Sequence, residues 1–384
     1  MANELDLIPR VTIHPDKICL YKEVHWVPVK TSAKFNISES EITESNNESF
    51  INSARRNNGF LSIHAKRKIF KAIDYLLITS DKRKIYSKVQ KKYISFRIVF
   101  VTLTLPSKQL HSDKEINNLC LNQLFVELTK YHHVKKFVWR AEKQENGNIH
   151  YHILINEFVE WSELRKRWNR ICNKLGYVDR YQKKMKEFYK NGFRLSDNPK
   201  DKRSEKQQRE AFILGQKSDW TSPNSTDIHD TRNVKDIKRY VGKYMTKKID
   251  IEDLKKSDNK LINIEALKDY DSIDFEAFEK DERIDLQAII DELEKMTVKA
   301  RLWSCSQNLS NVKGCQLIED WEISDELETI SNNSKCKTFH DPYFKIMFID
   351  SKRLVEFGSE KLFNYFARYL LETFDYNLQL KLAT

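Results

Sequence analysis

Apolar and polar positions along this chain repeat at two periods, and each period marks a kind of element. In ISFRIVFVTLTLP, residues 94–106, β-branched and aromatic side chains run on until Pro106, which predicts one strong strand. KKFVWRAEKQ (135–144) predicts a second strand, and Asn146-Gly147 a tight hairpin into a third, within ENGNIHYHILIN (145–156). In that third strand Ile149, Tyr151, Ile153 and Ile155 share one face, while His150, His152 and Leu154 share the other. Helical spacing predicts helices over 64–79, from a Ser112 or Asp113 cap to residue 130, from Trp161 onward, and over 233–248 and 283–296. The stripe Trp161, Leu164, Trp168, Ile171, Leu175 assigns both tryptophans to the core rather than to a base-stacking platform. The opposite face offers Arg165, Lys166 and Arg170 as a phosphate-contacting surface. RLWSCS, 301–306, reads as a late strand.

Elsewhere the pattern is weaker. Residues 1–35 hold Pro9, Pro15 and Pro28 and give no clear element, and the Ser/Asn/Glu-rich 36–58 reads as a linker. Residues 180–230 look like a basic, partly irregular insertion. The order of elements suits an α+β fold, a central antiparallel sheet with helices on one face and the other face open for a ligand. The expected organisation is an N-terminal accessory region (1–92), a functional domain (93–306) with its basic insertion and an acidic stretch at 249–295, and a C-terminal accessory region (307–384).

Composition narrows the function classes. The 384 residues are 40% hydrophobic and 32% charged, enough for a core and a solvated surface. No run approaches the roughly 18 apolar residues of a membrane span, and MANELDLIPR has no apolar signal region, so a cytoplasmic protein without a membrane partner is expected, in a bacterial cell or phage-infected host. Six scattered cysteines show no C-x-x-C spacing, against a zinc ribbon or a disulfide scaffold. The net charge of +11 suits a polyanionic partner, nucleic acid first. That charge is polarised, about +9 over 161–210 and about −9 over 249–295. With no G-x-x-x-x-G-K-[ST], no ATPase or helicase domain is expected.

Two constellations carry chemistry. His150 and His152 project to one side of a strand, close enough to share an ion, and Glu142 is the available carboxylate. A three-residue loop Glu145-Asn146-Gly147, with Gly147 left-handed, closes Gln144 on Asn148 and sets Glu142 opposite His150. A two-residue loop would set it opposite Tyr151, on the wrong face. Two imidazoles and a carboxylate also describe the ligand set of non-haem iron oxygenases. The second constellation is VKDIKRYVGKYMTKK, 234–248, where Tyr240 and Tyr244 share a helical face and Lys243 and Lys247 flank them. A phenol is a weak nucleophile at neutral pH, and a cation beside the attacked phosphate or a neighbouring lysine would activate it.

FVTLTLP (100–106), EKQENGNIHYHIL (142–154) and YVGKY (240–244), in this order, resemble the HUH endonuclease superfamily. The likeness is greatest to the two-tyrosine rolling-circle replication initiators of phages and small plasmids. It covers roughly 93–250. Tyr151 stands where the family often has an aliphatic, and the basic insertion is a second departure. The resemblance implies a ferredoxin- or RRM-like core and a Mg²⁺ or Mn²⁺ ion held by His150, His152 and Glu142. It implies Tyr240 as principal nucleophile, Tyr244 as the second and Lys243 as charge stabiliser. Thr102, Thr104, Arg165, Lys166, Arg170 and Lys247 would face DNA. The implied reaction nicks single-stranded origin-hairpin DNA, leaving a 5′-phosphotyrosine and a 3′-OH for host polymerase and helicase. An HUH transposase, or a non-catalytic nucleic-acid binder, is the alternative.

Overall fold

The computed structural model describes residues 7–24, 61–144, 146–197, 201–229, 297–310, 312–318 and 320–378. Among them, in chain order, come β1 (Leu7–His14), β2 (Lys17–Val24), α1 (Ile63–Ile78), β3 (Arg83–Ser87), β4 (Lys92–Phe96) and β5 (Val99–Thr104). Next are α2 (Asp113–Ile116), a π-helical turn (Asn117–Leu121), α3 (Asn122–His132), β6 (Phe137–Lys143) and β7 (Ile149–Ile155). Then follow α4 (Trp161–Asn173), α5 (Tyr177–Phe188), α6 (Glu205–Lys217), β8 (Thr226–His229) and β9 (Trp303–Cys305). The last are β10 (Cys315–Ile318), α7 (Trp321–Asn332), β11 (Lys337–Asp341), β12 (Phe344–Phe348) and α8 (Glu360–Phe374). The fold is α+β with antiparallel sheets. No helix among the described residues is long and apolar enough to cross a membrane, and all six cysteines are free thiols.

The chain forms two compact units. One, residues 48–70 and 82–306, is built on a five-stranded sheet of order β8-β5-β7-β6-β9. One face of that sheet presents Val101, Leu103, Trp139, Ala141, Ile149, Tyr151 and Ile153 to the apolar sides of the 113–132 helix and α4. Ile116, Leu121, Leu124 and Leu128 come from the first of these, and Leu164, Trp168 and Ile171 from the second. Ser112 starts the first helix with a full capping box: its side chain accepts from the Glu115 backbone, and Glu115 accepts from the Ser112 N–H. The π-helical turn carries Asn117, whose Oδ1 accepts a hydrogen bond from the Tyr151 hydroxyl inside the core. This satisfies the polar tip of a fully buried ring.

Three expectations are corrected. The run 94–106 is two strands, β4 and β5, bent apart at Arg97-Ile98 and belonging to different sheets. The stretch 180–230 is largely ordered as α5 and α6, and it returns as β8 to pair with β5. Trp168 is fully buried and donates its indole N–H to the Thr104 carbonyl at 2.7 Å. Trp161, by contrast, is 37% exposed beneath the Arg165 guanidinium, 4.7 Å from the ring centre. It is not a core residue, because it sits in the first turn, where the apolar stripe leaves the sheet.

The other unit, residues 1–47, 71–81 and 307–384, holds a sheet of order β10-β1-β2-β12-β11. A row of buried side chains crosses it, Met347, Ile18, Ile13 and Cys315 in successive register pairs.

Candidate metal centre

The site rests on the hairpin β6–β7. Its turn is closed by Gln144 N–H donating to the Asn148 carbonyl at 2.9 Å, with Gly147 at φ +78° and its N–H on the Gln144 carbonyl. A left-handed residue there needs no Cβ, and glycine meets the need. The register that follows pairs Glu142 with His150 and Arg140 with His152. On the other side β5 sets Thr104 opposite His150 and Thr102 opposite His152. Period-2 alternation therefore turns His150, His152, Glu142, Arg140, Thr102 and Thr104 to the face away from the helices.

That face is not open along its whole length, as the sequence pattern suggests. Phe100, Val138 and Leu154 at one end are fully buried, and Thr102, His152 and Arg140 nearly so. Exposure grows toward the row of Thr104, His150 and Glu142, where the Glu142 side chain is 25% exposed. The imidazoles thus stand between an apolar floor and an opening, which lowers the local dielectric around whatever binds.

Glu142 Oε1 lies 2.7 Å from His152 Nε2, on the diagonal of the register. The two imidazole rings meet edge to face at 4.6 Å, and one ligand atom from each of Glu142, His150 and His152 falls within 4.8 Å of the others. Burial alone would raise the Glu142 carboxyl. The His152 hydrogen bond and the charges of His152, Arg140 and His150 outweigh it and hold the pKa down to about 2. Burial, then His152 and His229, push His150 down to about 4 against the pull of Glu142. At neutral pH the cluster therefore offers an ionised carboxylate and a neutral His150 imidazole, the forms that ligate cations. His150 Nδ1 is buried without a hydrogen-bond partner. This orphan, with a donor set of two imidazoles and one carboxylate, fits a small divalent ion.

Sequence reasoning missed the edge strand β8. Its register puts His229 beside Phe100 and Asp227 beside Thr102, on the same face. Phe100 stacks on both His229 (4.7 Å) and His152 (5.7 Å), bracing the imidazoles. The D-x-H alternation of TDIH carries the signal, once 226–229 is read as a strand. Arg140 was also missed; it lies inside KKFVWRAEKQ on the Glu142 face.

Of the other predicted residues, Arg165 donates to Asn224 Oδ1 at 2.5 Å and Lys166 is exposed. Arg170 is engaged by Glu127, which also receives Arg167. Tyr240, Lys243, Tyr244 and Lys247, with the whole 233–248 helix, lie outside the described residues, as do 283–296 and the linker 36–58. Tyr151, between the histidines, is no substitute nucleophile: its hydroxyl is buried on the helix side, and burial raises its pKa well above the ordinary phenol value.

Residues 98–249 match the family model of the ORF2 type of replication-associated protein. The match spans β5, the histidine hairpin, α4, α5, α6, β8 and the tyrosine segment, and it supports a replication-initiator type of protein. No curated protein and no solved structure matches the chain.

Proposed function

We propose that this protein initiates rolling-circle replication by nicking and rejoining single-stranded origin DNA, through a sheet and tyrosine arrangement of the HUH type. One observation carries the reading. Glu142, His150 and His152 converge on adjacent strands within the segment that matches the replication-associated family.

Held by those three side chains, Mg²⁺ or Mn²⁺ would polarise the scissile phosphate and neutralise charge building on it. The protein supplies the rest. The Tyr240 phenol, losing its proton, attacks phosphorus; the bond to the 3′ oxygen breaks, and that oxygen takes up a proton to become the 3′-OH that primes synthesis. The DNA 5′ end stays on Tyr240 as a phosphodiester, which preserves the energy for rejoining without ATP, in keeping with the missing P-loop. Tyr244 serves the closing transfer, and Lys243 steadies the phenolate charge. Thr102 and Thr104 flank the imidazoles on β5. Arg165, Lys166, Arg170 and Lys247 hold phosphates along the strand.

The test is covalent trapping. The full chain is incubated with Mn²⁺ and labelled single strands tiling the hairpin-forming DNA beside its gene, then resolved under denaturing conditions. A protein–DNA adduct is expected from the wild type, sharply reduced in Tyr240→Phe and absent in His152→Ala. No adduct from the wild type on any strand would overturn the reading.

A further inference from the structure

Between Lys82 and Arg97 the chain carries seven Lys or Arg side chains and no acid. Its two strands, β3 and β4, pair only with each other, from Arg83 opposite Phe96 to Ser87 opposite Lys92. A two-stranded ribbon alone is marginal in water, and this one is held at its base. Phe96 is buried in the core with its ring 5.7 Å from Phe158, while Arg83 lies 5.1 Å over Phe96 and pairs with Glu157 at 2.9 Å.

Beyond the base, Lys84, Tyr86, Lys88, Lys91, Lys92 and Tyr93 are exposed. Among the described residues none of these four lysines is in an ion pair. Lysines on exposed strands often serve only to discourage edge pairing. That explanation covers Lys84 and Lys92 but not the turn, which adds Lys88 and Lys91, nor two tyrosines 50% and 72% exposed. So many uncompensated like charges on one hairpin repel one another unless a polyanion meets them.

We infer that the β3–β4 ribbon binds the phosphate backbone of duplex DNA adjoining the strand processed on the sheet. Two observations favour a duplex over a single strand. A two-stranded ribbon matches the width of the major groove, about 12 Å. The Tyr86 and Tyr93 rings also pack on each other edge to face at 5.3 Å, so they do not form a free stack of faces for unpaired bases. Their hydroxyls remain available to phosphate oxygens. The position suits the role, because β4 leads through the Arg97-Ile98 bend directly into β5, which carries Thr102 and Thr104 past the histidines. The choice of DNA as the polyanion rests on the proposed function; the ribbon's charge and geometry do not.

The experiment measures binding of the full chain to a short random-sequence duplex and to oligo(dT), by fluorescence anisotropy across a salt series. It compares wild type with the variant Lys84→Ala/Lys88→Ala/Lys91→Ala/Lys92→Ala. Each phosphate contact adds about 0.9 to the slope of log K against log salt for duplex DNA. The duplex slope is therefore expected to fall by about 2 to 4, with oligo(dT) affinity little changed and the Mn²⁺-dependent adduct intact. An unchanged duplex slope overturns the inference, as does an equal loss on oligo(dT), which would make the ribbon part of a single-strand channel. Because the adduct is read separately, failure of the ribbon and failure of the nicking reading are told apart.

Discussion

Glu142 reaches past His150, its partner in the register, to hydrogen-bond His152 at 2.7 Å. A carboxylate placed this way neutralises the cluster and fixes one imidazole by its Nε2, which sets how well a cation is held. Glu142→Ala removes both the charge and the bridge, whereas Glu142→Gln keeps an oxygen in place without the charge. Mn²⁺ affinity of the full chain, measured by titration calorimetry, is expected to fall at least tenfold in Glu142→Ala, within the about 10–100-fold range typical of shells around metals. A smaller loss is expected in Glu142→Gln. Equal Mn²⁺ affinity in Glu142→Ala and wild type would remove Glu142 from the ligand set. These three residues were legible in the sequence because strand period and loop length, both local, decide their placement. His229, Asp227 and Arg140 were not. The first two reach the site only because β8 returns from about 120 residues away along the chain to pair with β5, an event no local pattern encodes.

Among the elements, the β6–β7 hairpin shows how tightly register is determined. Two constraints act on it. The turn demands a left-handed residue at Gly147, and the core demands that Trp139, Ala141, Tyr151 and Ile153 face the helices together. A slip of one residue would carry all four to the other face. The core constraint is the larger, since burying four such side chains outweighs the about 1–2 kcal/mol that a β-carbon costs at positive φ. Gly147→Val is therefore expected to lower stability by about 1–2 kcal/mol in urea unfolding, since nothing within 4 Å of the added carbon obstructs it. Gly147→Asn should cost less, and both should keep Mn²⁺ affinity within about twofold, because less than about 1 kcal/mol of binding is at stake. Loss of binding in Gly147→Val would show that the turn, not the core, holds the register. The same reasoning explains the misreading of 94–106. Ile98, Val99, Phe100 and Val101 are all buried, so both sides of the chain are apolar there and period 2 vanishes. A continuous apolar run cannot reveal the bend at Arg97-Ile98 that turns a basic ribbon into a sheet strand.

At the scale of the whole molecule, the two units differ in how the chain supplies them. All five strands of the site sheet lie within residues 82–306, whereas the other sheet takes β1 and β2 from residues 7–24 and β10, β11 and β12 from beyond 314. The order β10-β1-β2-β12-β11 puts the N-terminal hairpin in the middle. Its prolines concealed it in the sequence, yet they fit. Pro15 lies in the connection after β1, and Pro9 lies beyond the reach of β10, whose pairing starts at Arg10 opposite Ile318, so no ladder hydrogen bond is lost there. Without residues 7–24, β10 is left alone and β11–β12 becomes a lone hairpin, an assembly too small to persist in water. The row Met347, Ile18, Ile13, Cys315 would lose its two middle members and open the core to solvent. A fragment of residues 82–306 is expected to melt cooperatively by circular dichroism and to bind Mn²⁺, while a fragment of residues 307–384 shows no cooperative transition. Co-expression of 307–384 with residues 1–81 should restore one, because the missing centre of the sheet is then supplied. Cooperative melting of 307–384 alone would mean that its strands find partners other than β1 and β2.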